Sequence, residues 1–408
     1  MWRILQMPIR IKLAQNAKEI DDALWLRHEV FVVEDGKFGG KPIHGHRLVD
    51  RFDAFPSAYH VVGYEGTEPV ATMRLLKDSE VGMPVDELYD FSEFRRQALS
   101  GEIPASADPS VVAQPAEFGS AGMLAIRGQW RRRRDVIRAM FRMAATVCHR
   151  YGATHILVVV NHETAGMYRR LGFKQLSDKI WNDEIGNHVI PLVGTTEQFL
   201  RWAFSDLPDT ALSAFQDSFE RMVYRAGETV FSEGDVGEHA YVVDSGEIRI
   251  SRQRTTGEEL TLAHLARGDL FGELALIDEQ PRSASAVAVS DSELMTLDRA
   301  TFQAQLQVNP ERCRRLFRIF SGRMRSMDEL AMVLAFAPQG QRLEFAIEVA
   351  RQQAQPDRLN PAQRVFRGGP RELALLAAVD EQLANDFLTR SAAAGTLEFS
   401  QRHIAFRE

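Results

Sequence analysis

The run Phe271-Gly-Glu-Leu-Ala-Leu-Ile-Asp-Glu-Gln-Pro-Arg-Ser-Ala-Ser-Ala-Val287 constrains this chain more than any other, because its residue order describes a seat for a buried anion. Gly272 permits a turn and a close backbone approach. Gly272-Glu273-Leu274-Ala275 is set to open a helical turn whose free N–H groups face the anion. Arg282 can lay two parallel donors along phosphate oxygens, and Ser283 adds a hydroxyl. Ala284 and Ala286 leave room for a ligand beside an expected wall of Leu274, Leu276 and Ile277. Glu273 is out of place beside an anion, so it is expected to face a neutral hydroxyl, and a ribose hydroxyl fits.

The flanks extend the pattern. Gly227-Glu-Thr-Val-Phe231, Glu233-Gly-Asp235, Tyr241-Val-Val-Asp-Ser-Gly-Glu-Ile-Arg-Ile250 and Gly268-Asp-Leu-Phe-Gly-Glu273 read as short strands separated by glycine turns. Together with the cassette they resemble the cyclic-nucleotide-binding domain shared by Crp-type regulators and kinase regulatory subunits. That resemblance implies that Glu273 holds the ribose hydroxyl and that Arg282 and Ser283 hold the cyclic phosphate. Gly272, Leu274, Ala275 and Ala284 would complete the pocket, with a cyclic nucleotide as effector, cAMP before cGMP.

A chain of 408 residues has room for two or three domains. Its formal net charge of -7 gives no global attraction to nucleic acid or an anionic membrane, so such contacts would have to be local. Two cysteines, Cys148 and Cys313, exclude a disulfide framework and a multi-cysteine zinc site, and no metal is expected. With no signal-type apolar core and no apolar run long enough to span a bilayer, a cytoplasmic location without membrane insertion is expected.

Residues 1–205 read as alternating strands and helices. Strands are expected at Ile9–Leu13, Tyr59–Tyr64, Val70–Leu76, Gly122–Ile126 and His155–Val160, with the second and third forming a hairpin. Helices are expected over Lys18–Glu34, Arg132–Tyr151 and Glu163–Leu171, and the proline-bearing stretch 101–116 reads as a loop. The order, and above all Val160-Asn-His-Glu-Thr-Ala-Gly-Met-Tyr-Arg-Arg-Leu-Gly-Phe173, resembles the GNAT acyltransferase fold. By that resemblance the two core strands splay, and a thioester donor enters the gap along Met123, Leu124, Ala125 and Ile126, with Asn161 nearby. Backbone N–H groups of that strand would stabilise the oxyanion, and Tyr168 would protonate the leaving thiolate.

GNAT enzymes that use CoA carry glycines where this chain has Arg131-Arg132-Arg133-Arg134-Asp135-Val136. An arginine-packed helix start can hold one phosphate or meet an acidic protein surface, which favours acyl carrier protein over free acyl-CoA as the donor. Leu26-Arg-His-Glu-Val-Phe-Val-Val-Glu34, Asp50-Arg-Phe-Asp53-Ala-Phe-Pro-Ser-Ala-Tyr-His-Val-Val62 and Pro69–Leu75 resemble the N-acyl amino acid synthases, relatives of the acyl-homoserine-lactone synthases. Arg27, Phe31, Asp50, Asp53 and Arg74 fall on positions that shape the catalytic face there. Aligning on Leu124-Ala-Ile126 puts Ser120 where that family has a glutamate, with Glu117 displaced, so the general base is not settled.

Residues 206–224 look helical, with a hinge expected over 195–224. Asn309–Phe336 carries Leu316, Phe320, Met324, Met327, Ala331 and Leu334 on one stripe, where Crp-type proteins dimerise. The end, Phe387–Phe406, resembles a Crp-type winged helix whose recognition helix would fall near Asp380–Asp386. Asp380, Glu381 and Asp386 would repel DNA, so DNA binding is expected to be lost. The expected fold is α/β multidomain: a GNAT-like α/β domain at 1–205, a cyclic-nucleotide-binding β-barrel (jelly roll) with its dimer helix at 206–335, and a small winged-helix-like α+β domain at 336–408. The expected activity is N-acyl transfer to a small amine such as an amino acid, regulated by a cyclic nucleotide. The alternatives are a cAMP-dependent protein lysine acetyltransferase and a Crp-like transcription regulator with an amino-terminal sensor.

Overall fold

The computed structural model describes residues 7–38, 45–106, 115–183, 185–204, 220–253, 259–308, 310–356 and 363–407. The chain divides into two compact units, residues 1–208 with 216–223 and residues 209–215 with 224–408.

In the first unit, β1 (Ile9–Leu13), β2 (Ala58–Glu65) and β3 (Glu68–Lys77) form an antiparallel meander, and β4 (Phe118–Ile126) continues it antiparallel to β3. β5 (His155–Asn161) is parallel to β4, and β8 (Asn187–Thr195) runs antiparallel to β5, with the short β6 (Lys174–Gln175) and β7 (Ile180–Asn182) on its edge. Helices α1 (Ala17–Arg27), α2 (Ser92–Leu99), α3 (Arg134–Arg150), α4 (Ala165–Arg170) and α5 (Thr196–Phe204) cover the sheet. Ala139, Met140, Met143, Ala144 and Val147 of α3 are fully or almost fully buried at helical spacing, so this stripe fixes the helix by removing apolar area from water.

Asn16 caps α1, its side chain accepting from the Glu19 N–H at 3.0 Å. The single helix expected over Lys18–Glu34 is broken in kind: from His28 to Glu34 the chain is a π-helix. The wider turn re-aims Phe31 and Glu34, and the β-branched Val30, Val32 and Val33 suit a less crowded helix. β4 also begins four residues earlier than expected. Its Gly119-Ser-Ala-Gly122 start has little strand propensity, but a Cβ on Gly119 would lie 3.2 Å from Ala153 Cβ and 3.3 Å from Leu76 O. Packing therefore selects glycine at position 119.

The stretch 206–224 is corrected in part. Glu220–Tyr224 is a strand, β9, whose first four residues pair with β1, while 205–219 lie outside the described residues. The expected hinge over 195–224 accordingly holds α5, β9 and an undescribed stretch.

In the second unit β10 (Thr229–Phe231), β15 (Ser285–Ala288), β12 (Ile248–Gln253) and β13 (Glu259–Leu265) form one antiparallel sheet in that order. Facing strands β14 (Leu270–Phe271), β11 (His239–Ser245) and β16 (Ser292–Asp298) complete a barrel. The four-residue α6 (Leu274–Ile277) interrupts it, and α7 (Arg299–Val308) leads into α8 (Pro310–Phe336). Then follow α9 (Gln339–Gln353), β17 (Gln355–Pro356), β18 (Gln363–Phe366), α10 (Pro370–Ala377), α11 (Glu381–Ala393), β19 (Leu397–Phe399) and β20 (Ile404–Arg407). Ala378, left-handed at φ 49°, turns α10 into α11, and a small sheet in the order β17-β18-β20-β19 flanks the pair. The fold is thus an α/β multidomain one with a winged-helix-like end.

Among the described residues no helix is long and apolar enough to cross a membrane. Nor, among them, are three or more His, Cys, Asp or Glu placed to hold a metal ion.

Candidate functional site

β4 and β5 pair over only three registers, Phe118 with His155, Gly119 with Ile156 and Ser120 with Leu157. Beyond them β4 stays with β3 to Ile126 and β5 stays with β8 to Asn161, so the two strands separate. Between Gly122 and Ala125 two residues of β4 oppose one of β3, a bulge in which Met123 is left-handed at φ 51°. A cavity of about 210 Å³ opens at this splay, lined among others by Ser120, Gly122, Met123, Leu124, Asn161 and Tyr168.

Asp50 and Arg74 form part of its wall, and behind them lies a buried charge network. Arg74 Nη1 donates to Asp50 Oδ1 at 2.6 Å and Asp53 Oδ1 at 2.8 Å, and Nη2 donates to Asp50 Oδ2 at 2.8 Å. Arg27, fully buried, donates to Asp53 Oδ1 at 2.7 Å and contacts His60 Nδ1 at 2.9 Å. The backbone makes this possible. Residues Arg51–Ala54 form a single 3₁₀ turn in which the Asp50 N–H donates to Asp53 Oδ2 and the Phe52 N–H donates to Asp50 Oδ1. Burial would raise the Asp53 carboxyl, but Arg27 and Arg74 outweigh it and hold the group below its ordinary value. Burial, reinforced by the Arg27 charge, pushes His60 down to about 4, so its imidazole is neutral.

The structure thus brings Leu124, Asn161, Tyr168, Asp50 and Arg74 to one cavity and leaves others out. Arg27 and Asp53 stand behind the wall as its support. Ala125 and Ile126 do not line the cavity: past the bulge Ala125 pairs with Thr72 and is fully buried, and Ile126 pairs with Ala71. Glu117 precedes β4 and turns its carboxylate to Lys77 at 3.4 Å, whereas Ser120 does line the cavity. Burial raises the Tyr168 phenol well above its ordinary value, and its ring meets Phe141 and Phe173 edge to face.

The arginine run is not four equivalent cations. Arg131 donates to Ile126 O and pairs with Glu34 at 3.0 Å and Asp35 at 2.8 Å, and Arg133 pairs with Asp135. Arg132 and Arg134 are exposed and have no acid within reach among the described residues. Sequence reasoning passed over Lys37, Phe38 and Ile185, which also line the cavity. No local signal marks them, since they arrive there from separate loops.

In the barrel, Gly272 is left-handed at φ 73°, and a Cβ there would lie 2.8 Å from Arg282 Nη1. Arg282 is buried. Its Nη1 donates to Gly272 O at 2.5 Å and its Nη2 donates to His239 O at 2.7 Å, while its guanidinium stacks 4.2 Å from the Phe231 ring. Tyr241 and Phe271 stack beside it with centroids 5.2 Å apart. Gly237 closes the seat, since a Cβ on it would meet Ala275 Cβ at 2.4 Å.

Glu273, almost fully buried, accepts from Arg323 Nη1 at 2.6 Å, and Arg323 Nη2 donates to Leu270 O. Burial raises the Glu273 carboxyl despite this partner. Ala275 and Ala284 are buried as expected, but the wall is not: Leu276 is buried, whereas Leu274 and Ile277 are about half exposed, and Ser283 is exposed. A one-turn helix can present only one side inward. Arg323, Gly237 and the aromatic trio were not foreseen.

Two families match the chain: the N-acyl amino acid synthase FeeM family at residues 22–194 and the cyclic nucleotide-binding domain at residues 221–309. Among curated relatives, the cyclic AMP receptor protein of Thermus thermophilus is 35% identical over 201 residues, covering 49% of this chain and 88% of its own. A cAMP-dependent protein kinase regulatory subunit of Eremothecium gossypii is 41% identical over 90 residues, 22% of this chain and 19% of its own. Among solved structures, FeeM, an N-acyl amino acid synthase from uncultured soil microbes, is 16% identical with a TM-score of 0.37, covering 47% of this chain and 94% of that one. The chain belongs to the cyclic AMP receptor protein family, and ahead of its cyclic nucleotide-binding domain it carries, at residues 22–194, an N-acyl amino acid synthase FeeM domain.

Proposed function

We propose that residues 1–205 form a GNAT-like N-acyltransferase that moves an acyl chain from an acyl-carrier-protein thioester to a small amine such as an amino acid. Residues 206–335 would bind a cyclic nucleotide, cAMP before cGMP, and tune that activity. The observation that carries the reading is the splay of β4 from β5 with a cavity at its mouth. Among the described residues the backbone groups there have no strand partner, so a donor arm can pair with them, and N–H groups at the Met123 bulge can receive the oxyanion as the amine attacks the thioester carbonyl. Tyr168 keeps its phenolic proton at neutral pH and can pass it to the departing thiolate. Asp50 Oδ2 accepts only from Arg74 among the described residues and so retains capacity to hold an incoming ammonium. Arg132 and Arg134 offer an acidic carrier protein a cationic landing point.

Phe317, Met324, Met327, Met332 and Phe336 expose an apolar face along α8, which supports a homodimer through this helix. The helix pair α10–α11 is retained in residues 336–408, but Glu381 and Asp386 on the exposed side of α11 argue against DNA contact. The test is thiol release from acyl-carrier substrates by the purified chain, followed with and without cAMP. Absence of turnover with acyl carrier protein and acyl-CoA donors across a panel of amino acids would refute the enzymatic reading. Absence of heat on titrating cAMP or cGMP would refute the effector.

A further inference from the structure

The terminal domain rests on the barrel through α10, which packs against β13. Phe366 sets its ring edge to face against His264 at 5.0 Å, and Arg249 of β12 spans the seam, 3.1 Å from Glu259 and 3.6 Å from Glu372 of α10. Inside this seam lies Glu247, 4% exposed, at the turn between β11 and β12. Its backbone is fixed: its N–H donates to Ser290 Oγ at 3.1 Å and its carbonyl accepts from the Val289 N–H at 2.9 Å. The side chain is not so provided. Among the described residues neither carboxyl oxygen has a hydrogen bond of full geometry, and the group feels the charge and N–H of Arg367 and the opposing charge of Glu372.

We propose that Glu247 is a proton-operated clasp: its neutral carboxyl lets α10 seat on β12 and β13, and ionisation within the closed seam drives the terminal domain off the barrel. A buried carboxylate without full hydrogen bonding is far costlier than the neutral acid. Burial, and secondarily Glu372, raise the group to about 7 against the pull of Arg367. His264 takes no part, because burial and then the Arg249 charge hold it near 3, neutral across the range that matters. Arg367 is the cation that acts on the group directly, and Glu259 and Glu372 are already tied to Arg249. Once the seam opens, the carboxyl returns to an ordinary value of about 4.3. The closed form therefore binds the extra proton between about 4.3 and 7. Closure is strongest in acid, weakens by up to about tenfold per pH unit across that window, and changes no further above it.

Hydrogen exchange of the full chain from pH 5 to 8, corrected for intrinsic rates, reads this directly. Protection of β13 and α10 should fall together toward pH 7 and then level, while β11 does not follow. Glu247→Gln should hold the acid level of protection at every pH, and Arg367→Leu, at an exposed position, should move the levelling point to higher pH. A flat wild-type profile, or a Glu247→Gln profile with the wild-type slope, overturns the proposal. Should Glu247→Gln not fold, an unmoved levelling point in Arg367→Leu overturns it instead.

Discussion

Arg27→Met tests whether the charge network behind the cavity is a structural support. The guanidinium is fully buried and meets Asp53 at 2.7 Å, and Arg74 meets both Asp50 and Asp53. Two cations thus face two carboxylates. Methionine keeps most of the volume but leaves the set with one buried negative charge in excess. Breaking a buried pair from one side typically costs about 3–5 kcal/mol, most of it from the stranded ion rather than the lost attraction. Restoring neutrality with Arg27→Met/Asp53→Asn should recover much of that loss, though not the hydrogen bond from the Asp50 N–H, which an amide oxygen accepts less well. Urea unfolding of the four proteins of this cycle, followed by hydrogen exchange in β2, measures the coupling. A single variant within about 1 kcal/mol of the parent, or a double variant no better than the single, would refute the reasoning.

His60, held near 4, binds fewer protons folded than unfolded, so its contribution to stability is complete above pH 6.5 and is lost as pH falls toward 4. The loss should reach about 3 kcal/mol at most in acid denaturation, and His60→Phe should flatten the slope. Gly237→Ala places a methyl 2.4 Å from Ala275 Cβ and 3.0 Å from Arg282, and calorimetry should show cyclic-nucleotide binding lost while thermal unfolding stays cooperative. Arg323→Leu strands the buried Glu273 carboxyl and should lower barrel stability by about 1–3 kcal/mol in chemical denaturation. Ser120→Leu fills the cavity where the strands part and should cut acyl turnover at least tenfold with the fold retained by circular dichroism.

What could be read from the sequence was what lies close along the chain. Gly272, Glu273 and Arg282 sit within one cassette, and the alternating β2–β3 hairpin and the apolar stripe of α3 announce themselves by spacing. The partner of Glu273 was not legible, since Arg323 stands 50 residues away on a helix whose pattern speaks only of its apolar stripe. The extent of β4 was hidden because Gly119 near its start is selected by the close approach of Ala153 and Leu76 on neighbouring elements rather than by strand propensity. The π-helix at His28–Glu34 carries a pattern shared with an ordinary helix, and only the reach of Glu34 to Arg131 reveals the extra width. Asp50, Asp53 and Arg74 were recognisable, but which of them face the cavity depends on a single turn of 3₁₀ helix.

The parting of β4 from β5 leaves main-chain donors and acceptors on both lips of the gap that no strand among the described residues satisfies. Whatever settles between them must bring amides or carbonyls of its own, or else water must remain. Because that grip belongs to the polypeptide itself, side-chain replacement can reshape who is admitted but cannot erase the grip.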